Sequence, residues 1–319
     1  MNLDDFNFFT FFNNSRSKRE AGKYAYLALT GTSIIWGTTW VASKIAVNSG
    51  ISGLEVSYIR QFIAGVILVL YFLLKGEKLP SWQQFRWLFI LSIFMFVMAN
   101  GLSTWGVKFI PSGLAALIGA LYPLCVILIE IIFFRVNNSS RLTFIGLIMG
   151  LGGVTMVLYE NTFHKQPEGY VFGIILGMIA MLAWSIGTLF IVRNKYQMNP
   201  YYAMGWQMFM ASFMIYGLAK VTGNDQPFSA ISWQTWAAIG YLIIMGSIIA
   251  FIAFIYTTRY LPTVISSLYA YINPIVAMIV GAFLLGEKLT FFIIVGAMIT
   301  LTGVYLVNRS LKKMKMDQK

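Results

Sequence analysis

Only one cysteine, Cys125, and one histidine, His164, occur in the 319 residues, and acidic residues number 11. The lone cysteine excludes an intrachain disulfide and a thiolate metal centre. A membrane-embedded enzyme would need a His pair, a Ser–His arrangement or an acidic metal cluster; one histidine on a loop supplies none of them. No catalytic residue, metal or other cofactor is therefore expected. Charge of any kind is scarce, at 11% of residues, whereas 58% are hydrophobic and mean hydropathy is +0.73. Such a composition lies outside the soluble globular range and reads as a polytopic membrane protein.

A spanning helix needs about 20 mostly apolar residues. Ten such runs are present, at 24–47, 55–74, 87–107, 111–134, 142–159, 170–192, 201–219, 236–256, 262–285 and 290–307. They are too long and too continuously apolar for the alternating strands of a barrel, so the expected fold is an all-α membrane protein of ten transmembrane helices. The longest connection, 220–235, has sixteen residues and leaves no room for a soluble domain. Residues 1–23 read as a cytoplasmic tail without a small-residue cleavage site, and 309–319 as a basic cytoplasmic tail. With the N-terminus inside, 17 of the 23 basic residues fall on the cytoplasmic side and four on the other, leaving Lys44 and Arg60 within helices. The positive-inside rule then places both termini in the cytoplasm, in the plasma or inner cell membrane. The net charge of +12 decorates a membrane face, and no nucleic-acid groove is implied.

The chain repeats itself. "FIPSGLAALIGALYPL" (109–124) and "YLPTVISSLYAYINPI" (260–275) each place two prolines twelve residues apart, Pro111 with Pro123 and Pro262 with Pro274. Gly146 and Gly153 match Gly296 and Gly303, Trp36 matches Trp184, and Gln61 matches Gln207, at offsets of 146 to 151. Two five-helix units follow, 24–160 and 170–308. Because five is odd, the second enters the membrane from the opposite side, and inverted repeats of this kind are typical of secondary transporters.

The segments "WGTTWVASKIAV", "YIRQFIAGVIL", "GVKFIPSGLAALIGALYPL" and "SSLYAYINPIVAMIVGAFLLGEKLTFFIIVGAMITLTGVYLV" resemble the EamA-type members of the drug/metabolite transporter superfamily. That resemblance spans 24–307 and is most specific at Pro274, Gly286–Glu287, Gly296 and Gly303–Val304. It implies ten helices, both ends cytoplasmic, a central cavity, and export or exchange of small metabolites. The first copy departs from it, with "RVNNSSR" (135–141) where the Gly-Glu element would stand.

Polar residues at mid-helix depth are the natural lining of a solute path, since unpaired polar groups are costly in lipid. Trp36, Thr39, Trp40 and Ser43 recur at helical spacing on the first helix, with Lys44 at the edge of the stripe. Asn100, Thr104 and Trp105 on the third, Tyr122 on the fourth, and Tyr269, Tyr271 and Asn273 on the ninth join them, with Trp184 and Gln207 as counterparts in the second copy. For any single Ser, Thr or Trp here, packing at helix interfaces or at the membrane surface is the simpler explanation. Lys44 and Arg60 lie at similar depth, about 5 Å and 7–8 Å from the outer face at 1.5 Å per residue, which suggests a shared site that binds a carboxylate or pairs with Glu55; independent snorkelling is the alternative. Pro123 and Pro274 are expected to kink their helices and act as hinges. A buried Glu130 could bind and release a proton; an interfacial acid close enough to water to stay ionised is the equal alternative. Taken together the residues suit a secondary transporter of small, carboxylate-bearing solutes such as amino acids, working as an exporter by alternating access with proton or counter-substrate coupling. A multidrug or nucleotide-sugar-like exporter is the alternative within transport, and a membrane scaffold or receptor the alternative outside it.

Overall fold

The computed structural model describes residues 18–134, 140–162, 168–193, 198–224, 231–261 and 263–317. The N-terminal tail to residue 17, His164, Pro262 and the 135–139 part of the first-copy turn lie outside the described residues. Among the described residues the chain is helical, without strands, in ten consecutive stretches. The first is Lys18–Asn48 and the second Gly53–Leu74. The third runs through Trp82–Ser92, a π-helical Ile93–Gly101 and Leu102–Gly106. The fourth is broken into Ser112–Gly119 and Tyr122–Phe134. Then come Arg141–Thr162, Tyr170–Arg193 and Pro200–Val221. The eighth repeats the pattern of the third, with Trp233–Tyr241, a π-helical Leu242–Ile249 and Ala250–Tyr260. The ninth, like the fourth, is broken, into Thr263–Ser266 and Tyr269–Leu285, and the tenth is Phe291–Asp317.

Seven of these stretches are long and apolar enough to cross a membrane. The chain is thus an integral, multi-pass membrane protein. The first and seventh helices, of 31 and 22 residues, fall short in apolarity and not in length. The ninth falls short in length, because its unbroken part has 17 residues. At both chain ends helix continues beyond the apolar run: residues 18–23 and 309–317, expected as tails, are helical. Hydropathy marks where lipid ends, but the backbone hydrogen bonds continue until a breaker stops them, and neither segment holds a proline.

Local chemistry sets several boundaries. Ser52 and Glu55 close a reciprocal capping box at the start of the second helix, as Ser81 and Gln84 do for the third. Asn199 caps the seventh, with Pro200 in the first turn where a missing N–H costs nothing. Gly286 ends the ninth at φ 65°, a left-handed conformation that glycine adopts without a Cβ clash.

Pro123 corrects one expectation. It was to kink a continuous helix, yet the helix stops at Gly119 and resumes at Tyr122, so Pro123 sits in the first turn of the resumed segment. Pro274, by contrast, lies inside a helical segment as expected, six residues beyond the interruption at 267–268.

Equivalent helices of the two copies pack against each other with their backbones nearly touching. A Cβ on Gly146 would lie 2.6 Å from the Gly303 carbonyl, and one on Gly153 2.5 Å from that of Gly296. The partners run in opposite order along the chain, so the fifth and tenth helices cross antiparallel. Gly65 against Phe209 and Gly205 against Leu68 show the same antiparallel order for the second and seventh. Without a hydrophobic drive between helices in lipid, such close approach supplies the dispersion contact that holds them. Gly303→Val would place its Cβ 2.3 Å from the Gly150 nitrogen. We expect a loss of about 1–3 kcal/mol or more from overpacking, read as a lowered unfolding temperature of the detergent-solubilised protein.

Candidate functional site

A cavity of about 160 Å³ lies inside the bundle. Helices one, two, three, four, six, eight and nine wall it, and the fifth, seventh and tenth stand outside. Its polar side comes from Thr39 and Ser43 of the first helix, Arg60 of the second, and Asn100, Ser103 and Thr104 of the third. Its small side comes from the fourth helix, with Ala115, Ala116, Gly119 and Ala120. Rings close it toward the termini: Trp36, Tyr122, Trp184, Phe251 and Tyr269 all line the wall.

These rings pack on one another through Trp36. Its centroid lies 5.0 Å from Phe251, 5.2 Å from Tyr269 and 6.5 Å from Trp184, each edge-to-face, the favoured aromatic geometry. Tyr122 stacks on Tyr269 at 6.2 Å. Trp36 and Trp184, counterparts in the repeat, therefore meet at the centre of the molecule.

The π-helical segments place polar groups at this wall. In the eighth helix the widened turn leaves the Gly246 carbonyl to accept a hydrogen bond from Trp36 Nε1 at 3.2 Å, and brings Ser247 Oγ within 2.5 Å of Arg60 Nε, which donates to it. Gly246 is where it is because a Cβ would strike Thr39 at 2.7 Å. In the third helix the equivalent segment carries Asn100, whose carbonyl accepts from Ser103 and Thr104 at 3.0 and 2.8 Å. π-Helical segments inside α-helices recur at functional sites; here the one in the third helix lines the cavity through Ala99 and Asn100, and the one in the eighth stands behind the wall, against Trp36 and Arg60. On the ninth helix Asn273, a wall residue, accepts from Trp40 Nε1 through its Oδ1 at 3.0 Å.

Arg60 is the one charged side chain in the wall among the described residues, and it is 5% exposed. No carboxylate pairs with it among them. Glu55, the partner expected from sequence, is fully buried and accepts from the Ser52 amide at 3.1 Å in the capping box. Lys44 corrects the expectation of a shared site. Its ammonium donates to three backbone carbonyls, Val107 at 2.8 Å, Lys108 at 2.9 Å and Ile110 at 3.0 Å, so all three of its N–H bonds are used and it does not line the cavity.

Of the other residues singled out from sequence, Trp36, Thr39, Trp40, Asn100, Tyr122, Trp184, Tyr269 and Asn273 are brought together at the wall, with Pro274 beside them. Trp105 and Gln207 are not. Trp105 packs edge-to-face on Phe172 at 5.2 Å, and Gln207 is buried on the seventh helix, outside the wall. Tyr271 turns outward to Asn308. Glu130 is half-buried on the second part of the fourth helix, away from the cavity. Sequence reasoning missed Phe251 in the wall and, behind it, Ser247 and Gly246, which the π segment of the eighth helix presents to Arg60 and Trp36; that segment carries no sequence signature.

The model of the EamA-like transporter family matches residues 23–159 and again 171–309. The chain belongs to the EamA-like transporter family. It is a membrane transporter, and similar proteins bear similar names. The inner membrane transporter YedA of Escherichia coli (strain K12) is 29% identical over 82% of this chain and 83% of its own. A transporter of Synechocystis sp. is 26% identical over 92% of each, and the transporter YoaV of Bacillus subtilis 24% identical over 88% of this chain and 95% of its own. A solved crystal structure shares the fold with a TM-score of 0.63 at 14% identity, covering 91% of this chain and 98% of its own.

Because Lys44 of this transporter satisfies backbone carbonyls, Lys44→Met should act on stability. Hydrogen bonds to a charged group are each worth about 1.5–3 kcal/mol, so a clear fall in unfolding temperature is expected, while the preference between charged and neutral solutes in proteoliposomes stays the same.

Proposed function

We propose that this transporter is a secondary active one that moves small carboxylate-bearing solutes, amino-acid-like ones among them, out of the cell by alternating access. The observation that carries the reading is Arg60: a guanidinium buried in the cavity wall with no carboxylate partner among the described residues. An unneutralised charge away from water is costly, and an incoming carboxylate that forks onto its remaining N–H groups offsets that cost. Asn100 and the Asn273 amide extend the polar side, and the rings of Trp36, Trp40, Tyr122, Trp184 and Tyr269 receive an apolar body. A cavity near 150 Å³ holds about one benzene-sized group, so the 160 Å³ here favours a single ring or a branched chain over a nucleotide-sugar or a bulky drug.

Two successive matches to one family model and the antiparallel packing of equivalent helices support ten crossings arranged as two inverted five-helix repeats. The basic-residue asymmetry supports cytoplasmic termini. In such an arrangement the halves exchange conformations around a fixed central site. The interruptions at 120–121 and 267–268, with Pro123 and Pro274 close by, are where the fourth and ninth helices would bend. Glu130 stands as the acidic candidate for proton coupling, with counter-substrate exchange as the other source of drive.

Two measurements test this. Arg60→Gln should weaken half-saturation for anionic or zwitterionic solutes by about 10- to 100-fold, the equivalent of one charge-assisted bond, and leave neutral solutes within about threefold; equal loss for both classes would sink the carboxylate assignment. Reporter fusions at either terminus should report the cytoplasm, and activity on the opposite face at one end would overturn the topology.

A further inference from the structure

The turn between the third and fourth helices is held from two sides by opposite charges. From the first helix, Lys44 takes the carbonyls of Val107, Lys108 and Ile110. From just beyond the ninth helix, Glu287 accepts hydrogen bonds from the Ser112 amide at 2.6 Å, the Ser112 hydroxyl at 2.9 Å and the Gly113 amide at 3.3 Å. A cation thus meets the carbonyl-rich end of one helix and an anion the amide-rich start of the next, each with the favourable sign for the helix dipole. The two also interact electrostatically across the turn.

Packing at this end is tight. A Cβ on Gly281 would lie 2.6 Å from Glu287 Oε2 and 2.7 Å from Ser112 Oγ, and one on Gly113 would lie 2.5 Å from Met278 Cγ. The segment so pinned, Ser112–Gly119, supplies Ala115, Ala116 and Gly119 to the cavity wall. The cavity is therefore bounded, at the end away from the termini, by a contact between the fourth and ninth helices that Glu287 bridges.

The corresponding turn of the first copy, 135–141, reads Arg-Val-Asn-Asn-Ser-Ser-Arg and holds no acidic residue. If the halves exchange roles during transport, the sequence 135–141 offers no carboxylate at the position equivalent to Glu287. We propose that Glu287 is a positioning residue that latches the fourth helix to the ninth at the end away from the termini, and that its absence from the other repeat biases the resting transporter toward closure at this end. Opening there breaks the three bonds to Ser112 and Gly113 without any covalent step. A state favoured by contacts unavailable to its mirror image is populated in proportion to their differential free energy. The proposal rests on the alternating-access reading.

The test uses the full-length protein in vesicles, carrying A116C in a Cys125→Ala background, labelled by a membrane-impermeant maleimide from the face away from the termini. Glu287→Ala, which removes all three bonds, should raise the labelling rate from that face by about fivefold or more, and Ser112→Ala, which removes only the hydroxyl bond, by a smaller amount; the double variant should add little to Glu287→Ala, because the Ser112 hydroxyl acts through Glu287. Half-saturation for substrate should stay within about threefold while the maximal transport rate changes. Unchanged labelling in both variants overturns the latch, as does an equal rise from both faces, which would mean general loosening. Should Glu287→Ala fail to reach the membrane, Ser112→Ala, which keeps the carboxylate and two of the three bonds, decides by whether any rise is confined to that face. Failure of the alternating-access reading would look different: substrate would then leave A116C labelling unchanged even with Glu287 in place.

Discussion

Every backbone N–H and C=O inside a bilayer must find a partner within the protein, and this constraint governs where the helices are allowed to depart from regularity. The departures are few: π turns in the third and eighth helices, interruptions in the fourth and ninth, and the turn at 107–111. Each lies at or beside the cavity, and several are answered by a polar side chain of the first helix. Trp36 takes the Gly246 carbonyl, Thr32 that of Ala250, and Lys44 three at the 107–110 turn. The first helix is thereby too polar to read as a strongly apolar span, and it is so because it serves the irregular backbone of its neighbours.

The same constraint separates the two cations. Lys44 and Arg60 look alike on a hydropathy profile: single basic residues a short way inside their helices. Three carbonyls surround the Lys44 ammonium, so its charge is spent on holding the fold. Around the Arg60 guanidinium, among the described residues, Ser247 Oγ accepts from Nε and Gly246 lies close by, and the side chain lines the cavity. The guanidinium stands in the cavity wall with no carboxylate beside it among the described residues, whereas the ammonium is saturated by backbone.

The duplicated unit gives the bundle reciprocal contacts. Gly146 meets Gly303 while their counterparts Gly296 and Gly153 meet each other, and Trp36 meets its own counterpart Trp184. Departures from that symmetry are therefore informative. Glu287 has no acidic equivalent in the first copy, and the break in the ninth helix lies before its proline by more residues than the break in the fourth.

Much of this protein was legible in its sequence. Long apolar runs announce helices because lipid admits little else; the repeated Pro, Gly and Trp positions announce duplication because their spacing survives where other residues drift; and ten of the mid-helix polar and aromatic residues singled out do line one cavity, since polar groups at that depth need a shared refuge. The tertiary structure decided what pattern cannot carry. Whether Trp105, Gln207 and Lys44 face the cavity depends on helix rotation and on which backbone carbonyls lie within reach, and these are set by contacts between residues far apart in the chain. The π turns that deliver Ser247 and Gly246 are likewise invisible, because a one-residue widening of a helix is stabilised by neighbours such as Trp36 and Arg60 and leaves the local hydrophobic pattern unchanged.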